Sequence, residues 1–538
     1  MKRRQAIKIS SIGAIGVTAS LNTSCSKNTF LFNHGVASGD PLNDRVILWT
    51  RVTPKKPGPL QAILEISETK NFSKIAFSKK LQTSSITDYT IKYDFVAKKY
   101  CNSDKGFYYR FRAGNAISEI GKSKTFSKNI LNAKIGIFSC SNYPAGFFNA
   151  YQAAAEKDNL DLWIHLGDYL YEYPMGGYAT SRAKELGRVP SPPHEMISLA
   201  DYRKRHAQYK LDQGSRALHK SVPLIAVWDD HEFSNDAWKR GAENHSEDGS
   251  EGDFYARRSA AIKAYYEWMP IREQKNKRKI FREFAIGKLI HLIMLDTRQY
   301  ARDKQIQPKD YLSKSGFNQA KFYNDLNSND RNLLGFEQLS WVKKSISKSD
   351  ACWTIFGQQV LMTKLKFPDL TEMMKKEDIP SFVKPYLKFL GLGIPSNLDA
   401  WDGYPQERKR LYQLMSNAGK KFISLAGDTH NSWVSELRDN NGDKVGLELG
   451  TPSVTSPGIT DILNLNAKEF VRNIVKINKE LLWMEPINRG FLSLNIKKDS
   501  IVATFNYIKD LDKISPIIKS SKSFIIHQKD LVIEENKT

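Results

Sequence analysis

Cysteine is scarce: Cys25, Cys101, Cys140 and Cys352 are the only four in 538 residues. With Cys25 set aside an odd three remain, which excludes full pairing into disulfides. A thiol that survives unpaired in an oxidising compartment is usually buried or bound to metal, and Cys101 and Cys352 both read as small buried residues. No segment reaches the ~18 apolar residues that a membrane-spanning helix needs. No Gly-x-Ser-x-Gly elbow precedes a helix, which argues against a serine hydrolase. There is no internal repeat and no low-complexity tract. No Lys/Arg block with interleaved aromatics stands out, so no specific nucleic-acid partner is indicated.

What is present is ordinary globular material. Hydrophobic residues make up 41% and charged ones 26%, ample for a large core, and the length favours two or more domains. A formal charge of +23 points to an anionic substrate or surface, although lysines scattered over a solvated surface give the same sum. The N-terminus carries Lys2, Arg3, Arg4 and Lys8 without an acid, followed by the apolar stretch Ile9 to Leu21. That run is too short to span a bilayer and suits the h-region of an export signal. Arg3-Arg4 before Gln5-Ala6-Ile7-Lys8 resembles a twin-arginine signal, so the expected partner is the machinery that exports folded proteins. Thr23-Ser24-Cys25 looks like a loose lipobox, imperfectly spaced, which leaves open a lipid anchor through Cys25. The expected location is periplasmic or associated with the cell envelope.

Four segments are expected: an export signal over 1–28, an all-β domain over 29–128, a larger α/β domain over 130–515, and a tail over 516–538 that is a candidate lid. From Phe30 to about Ser127, β-rich runs such as Val46 to Thr50, Ala62 to Ile66, Tyr93 to Val96 and Phe107 to Phe111 alternate with turn signals. This spacing suggests an immunoglobulin- or fibronectin-like sandwich. After residue 130, apolar strand runs alternate with helical patterns at Phe254 to Trp268, Phe336 to Lys348 and Gln406 to Met415, which argues for a layered α/β domain. Gly490 to Ile496 and Ile501 to Tyr507 read as a hairpin. Tyr202-Arg203-Lys204-Arg205-His206 reads as a solvated helix face, and the Lys-rich stretch Lys364 to Lys388 as an insertion or flap.

The informative residues come directly after the apolar strands. Ser139-Cys140-Ser141-Asn142 ends one, and Gly167-Asp168-Tyr169-Leu170-Tyr171-Glu172 the next. Asp229-Asp230-His231-Glu232, Asp296-Thr297-Arg298 and Gly427-Asp428-Thr429-His430-Asn431 end three more. Open α/β sheets hold ligands outside the carboxyl ends of their strands. Each piece alone has an ordinary structural reading: a Gly-Asp turn, a helix cap, a small core cysteine, a packing tyrosine at 171, an aspartate at 296 that merely fixes a loop. Together they deliver metal-ligand types to one end of five strands. Thiolate, carboxylate, phenolate and imidazole favour a Lewis-acidic transition metal, and adjacent hard carboxylates suit a second cation such as Ca²⁺. Such ions turn a bound water into a hydroxide nucleophile and neutralise phosphoryl charge. Arg298 is a candidate for bidentate phosphate binding.

These motifs resemble the alkaline phosphatase D (PhoD) family, a branch of the calcineurin-like metallophosphoesterases. His34-Gly35-Val36-Ala37-Ser38-Gly39-Asp40-Pro41 and Val46 to Arg51 are similar to that family's N-terminal sandwich, and Trp401-Asp402-Gly403-Tyr404-Pro405 recurs in it. The resemblance implies a metallophosphoesterase β-sandwich core flanked by helices, preceded by the all-β domain. It implies that Cys140, Asp168, Tyr171 and His430 ligate Fe³⁺, with Asp168 bridging to Ca²⁺ and Asp428 and Asp230 as further ligands on the calcium side. Asn235 in the same loop is the alternative to Asp230. His231 is then a phosphate contact or proton donor, and Arg298 binds phosphoryl oxygens. The implied activity is hydrolysis of phosphomonoesters and phosphodiesters. The rivals are a phospholipase D-like or polymer-directed phosphodiesterase acting on lipid head groups or anionic polymers, and a non-catalytic surface binding protein.

Overall fold

The computed structural model describes residues 30–536 apart from 103–105, 158, 247, 371–388, 390–391 and 396. The segment expected to be an export signal, Cys25 and most of the Lys364 to Lys388 stretch lie outside the described residues. Among the described residues, no helix is long and apolar enough to cross a membrane.

Six largely apolar strand runs become the centre of two facing sheets, as strands covered on both faces must. Asn132–Phe138, Leu162–His165 and Leu224–Ala226 pair in parallel in a ten-stranded sheet. Ile290–Met294, Trp353–Gly357 and Phe422–Ala426 pair in parallel in a seven-stranded one. Ile137, Ile164 and Leu166 from the first sheet share a core with Leu292, Ile355 and Leu425 from the second. Helices Asn149–Lys157, Leu199–Leu211 and Phe254–Trp268 cover one outer face. Gly335–Lys348 and Pro405–Asn417 cover the other, where Val342, Leu411 and Met415 pack on Ile293 and Phe356. This is the helix-flanked sandwich expected, and the predicted hairpin is present as Gly490–Lys497 and Ser500–Ile508.

The N-terminal region is all-β, with a five-stranded sheet in which Phe107, Tyr109, Phe111 and Ala113 alternate inward. Its second layer is not separate. Val36–Gly39, Val46–Arg51 and Thr90–Phe95 are the last three strands of the ten-stranded sheet, because Gly39 pairs with Leu224. A Cβ at Gly39 would lie 2.2 Å from the Pro270 carbonyl oxygen and 2.7 Å from that of Leu224. Asp40 then receives the Arg282 guanidinium at 2.7 and 3.0 Å. The C-terminal segment, expected as a candidate lid, is instead the opposite edge of this sheet. Ile518–His527 and Ile533–Glu535 extend it with Phe524 and Ile526 turned into the core. Cys101 and Cys352, expected to be buried, are both half-exposed.

Tyr202-Arg203-Lys204-Arg205-His206 is not a solvated face: Tyr202, Arg205 and His206 are buried. Nearby, Lys210 Nζ lies 2.9 Å from the Tyr169 hydroxyl and 2.6 Å from His219 Nε2, fully buried. Burial, with Lys210 beside them, holds His165 at about 3 and His206 and His219 well below the usual imidazole range. His34 is also at about 3, through burial and then Arg51, Lys210 and Arg216. Below pH ~6.5 the unfolded chain takes up protons that these folded imidazoles refuse, at ~1.4 kcal/mol per pH unit for each. Denaturation midpoints at pH 8, 6.5 and 5 are therefore expected to fall a little between the first two and steeply at the third. A flat series would overturn this account.

Candidate metal centre

The ends of the central strands meet above the sandwich, and the backbone there is bent to aim its side chains. Cys140, Asp168, Asp428 and His430 all adopt positive φ, between 55° and 64°. Non-glycine residues are held there only where the surroundings impose it, and such positions cluster at functional sites. Gly167, at φ 117°, lets the Asp168 loop approach Asp229: a Cβ would lie 2.4 Å from that of Asp229.

Three groups of donors result, each with its ligand atoms within 4.8 Å of one another: Cys140, Asp168 and His430; Asp168, Asp230 and His231; Asp229, Asp230 and Asp428. Asp168 and Asp230 are each shared between two of them. The Tyr171 hydroxyl joins the first group, 3.2 Å from both Asp168 Oδ2 and His430 Nε2, and receives Ser456 Oγ at 2.7 Å. His430 Nδ1 lies 2.8 Å from the Pro457 carbonyl, which can only accept. That fixes the proton on Nδ1 and leaves the Nε2 lone pair facing the cluster, the arrangement of a metal-binding histidine. Burial keeps His430 neutral, at about 3.

Two carboxylates order the loops. Glu232 accepts the backbone N–H groups of Asp168, Tyr169 and Asp229 at 3.0, 2.6 and 2.7 Å, tying two strand-end loops together. Glu172 receives His231 Nδ1 at 2.8 Å and the Asn235 N–H at 2.7 Å. Burial opposes charge on His231, but Asp230, Glu172 and Asp168 outweigh it and raise its pKa well above the usual range. With Nδ1 engaged by Glu172, the other ring nitrogen of His231 is the one left for the site.

The donor set fits metal. Asp168 Oδ1 and Asp230 Oδ1 are buried without a hydrogen-bond partner, where an unsatisfied carboxylate oxygen is costly. Burial pushes the Cys140 thiol, Asp168 and Asp428 well above their ordinary pKa values. Concentrated acids of this kind are what bound cations stabilise.

A PhoD-like phosphatase family model matches residues 135–505, and the model of that family's N-terminal domain matches residues 18–127. The chain belongs to the PhoD-like phosphatase family. Alkaline phosphatase D of Bacillus subtilis (strain 168) is 31% identical over 539 aligned residues, covering 97% of this chain and 84% of that protein. A solved structure of PhoD superposes with a TM-score of 0.78 at 28% identity, covering 94% of this chain and 92% of that one. As a member of the family, the protein is a phosphoesterase.

Of the residues expected at the site, Cys140, Asp168, Tyr171, Asp230, His231, Asp428 and His430 come together in one cluster. Asn235, the alternative to Asp230, turns its side-chain amide to Glu243 Oε2 at 3.1 Å. Arg298 is at the site but not free to grip phosphate. It is wholly buried, and its guanidinium bonds Asp229, Asp399 Oδ1 at 2.8 Å and Asp428 Oδ1 at 3.2 Å. Its role is to hold carboxylates together, because three of them would otherwise repel at close range. Asp296 accepts the Arg298 and Gln299 N–H groups at 2.9 Å each, fixing that loop. Trp401 is structural: it is buried, and its indole donates to Gln358 Oε1 at 3.1 Å. Three further residues have roles that the motifs do not mark: Asp399; Glu232, which lies in the Asp229 to Glu232 run but acts as a loop tie; and Arg205, which donates to the backbone carbonyls of Tyr171, Tyr173 and Pro192.

Proposed function

We propose that this protein is an exported, metal-dependent phosphoesterase acting on phosphomonoesters and phosphodiesters. Fe³⁺ would be held by Cys140, Asp168, Tyr171 and His430, and Ca²⁺ on the carboxylate side by Asp168, Asp230 and Asp428. The observation that carries the reading is the shared, half-unsatisfied pair of carboxylates, Asp168 and Asp230, between a sulfur- and nitrogen-bearing cluster and an all-oxygen one. Soft and borderline donors favour a transition metal, and carboxylates a hard cation. When bound, such ions supply Lewis acidity, both to a water molecule and to the phosphoryl group.

The chain's own residues do the rest. Glu172 orients His231, so its other ring nitrogen is placed to donate to a phosphoryl oxygen or a departing alkoxide. Arg298 and Glu232 keep the loops in register, and Ser456 and Asp168 orient the Tyr171 phenol. Export rests on the Arg3-Arg4 and Ile9 to Leu21 pattern and places the protein in the periplasm or cell envelope, with Cys25 as the candidate anchor.

Purified protein, given an aryl phosphodiester and its monoester with Ca²⁺ or with chelator, is expected to turn over both and to stop when chelated. No turnover by metal-replete protein would overturn the reading for small esters and favour a lipid or polymer substrate. A phenolate on Fe³⁺ also predicts colour. The holoprotein is expected to show charge-transfer absorption from both the phenolate and the Cys140 thiolate, and Tyr171→Phe is expected to remove the phenolate part while iron stays bound through the other three ligands. An iron-replete, active and colourless wild type would exclude Tyr171 as a ligand.

A further inference from the structure

The loop that carries Tyr171 also carries a phenol with nothing to bond. Tyr173 is half-buried, with its ring centroid 5.3 Å from His231 and 5.8 Å from Tyr178. Its neighbours' hydroxyls are engaged: Tyr171 by Asp168, His430 and Ser456, and Tyr178 by the Pro457 carbonyl at 3.1 Å. Among the described residues the Tyr173 hydroxyl has no such partner. The backbone beneath it is nevertheless anchored, since Arg205 donates to the Tyr173 carbonyl at 3.3 Å. The side chain is thus a fixed aromatic surface with a spare donor, next to the His231 ring.

The charges around the cluster sharpen this. Arg298 is spent on carboxylates, so among the residues described at the centre no guanidinium is left to match the second negative charge of a monoester. A diester carries one charge and a second organic group, and that group needs a surface. Aromatic rings provide one through stacking and apolar contact.

We propose that Tyr173 is the residue that reads the organic part of the ester. Its ring packs against the group beyond the phosphorus, and its hydroxyl donates a hydrogen bond to an ester oxygen. The substrate class this favours is a phosphodiester with a flat or apolar ester group, in preference to the corresponding monoester. The inference rests on the phosphoesterase reading above and concerns selectivity within it.

The test is steady-state kinetics on the full-chain, metal-loaded enzyme and its Tyr173→Phe, Tyr173→Leu and Tyr173→Ala variants. Three probes are used: a bis-aryl phosphate, an alkyl aryl phosphate and an aryl monophosphate, with metal content measured in parallel. Tyr173→Phe is expected to lower kcat/KM about three- to tenfold for all three, the share of one hydrogen bond. Tyr173→Leu and Tyr173→Ala are expected to cost the bis-aryl diester about tenfold more than the monoester, mainly in KM, with metal content unchanged. An unchanged diester-to-monoester ratio in Tyr173→Leu, which keeps bulk without a ring, would overturn the proposal even if Tyr173→Ala folds poorly. A metal-replete wild type that hydrolyses none of the probes would instead overturn the reading for small esters, and this inference with it.

Discussion

Replacing Cys140 with alanine is expected to strip the transition metal from the protein and to lower turnover by at least ~10²-fold. Even partners one step removed from a metal typically cost 10- to 100-fold, and a ligand costs no less. The thiol is fully buried, and desolvation, then Asp168, pushes its pKa up. Only a cation bound at the sulfur makes the thiolate favourable there. The loop itself should survive the change. The Cys140 carbonyl accepts Ser456 Oγ at 3.0 Å and its N–H reaches the Gly167 carbonyl at 3.2 Å, both through backbone atoms. Elemental analysis and turnover on the same preparation check this. Wild-type iron content with full activity would remove Cys140 from the ligand set.

Arg298→Met is expected to destabilise the fold by ~3–5 kcal/mol, the usual cost of removing one partner from a buried charge cluster. Asp229, Asp399 and Asp428 would lose their shared guanidinium. Added Ca²⁺ is expected to recover part of the loss, because a cation can replace the missing charge among those carboxylates. Denaturant unfolding with and without Ca²⁺ measures both effects. If Arg298 served as a phosphate clamp instead, the variant would keep its unfolding midpoint in phosphate-free buffer and show only a raised KM.

The candidate ligand positions are legible in the sequence because each follows an apolar strand, and parallel strands within each sheet put such ends on one side. The same periodicity marks Phe254–Trp268 and the two outer helices nearly to the residue. It does not reach partners that come from elsewhere in the chain. Asp399 lies far from any strand end, and nothing local marks it as the acid that Arg298 meets. Arg205 misleads for the opposite reason. Four charged or polar neighbours in a helical register look solvated, yet its guanidinium satisfies backbone carbonyls of the Tyr171 loop, a need that exists only in the folded molecule. The edge strands are recognisable as strands, but which sheet they join depends on pairings such as Gly39 with Leu224.

That pairing also bears on how the protein can be cut. A truncated chain beginning near residue 130 would contain every donor named above and still expose Leu224–Ala226 as a bare sheet edge, a template for self-association. It would leave Arg282 buried without Asp40 as well. The phosphatase region is therefore not a portable cassette, and an attempt to graft it onto another carrier should retain residues from Phe30 onward.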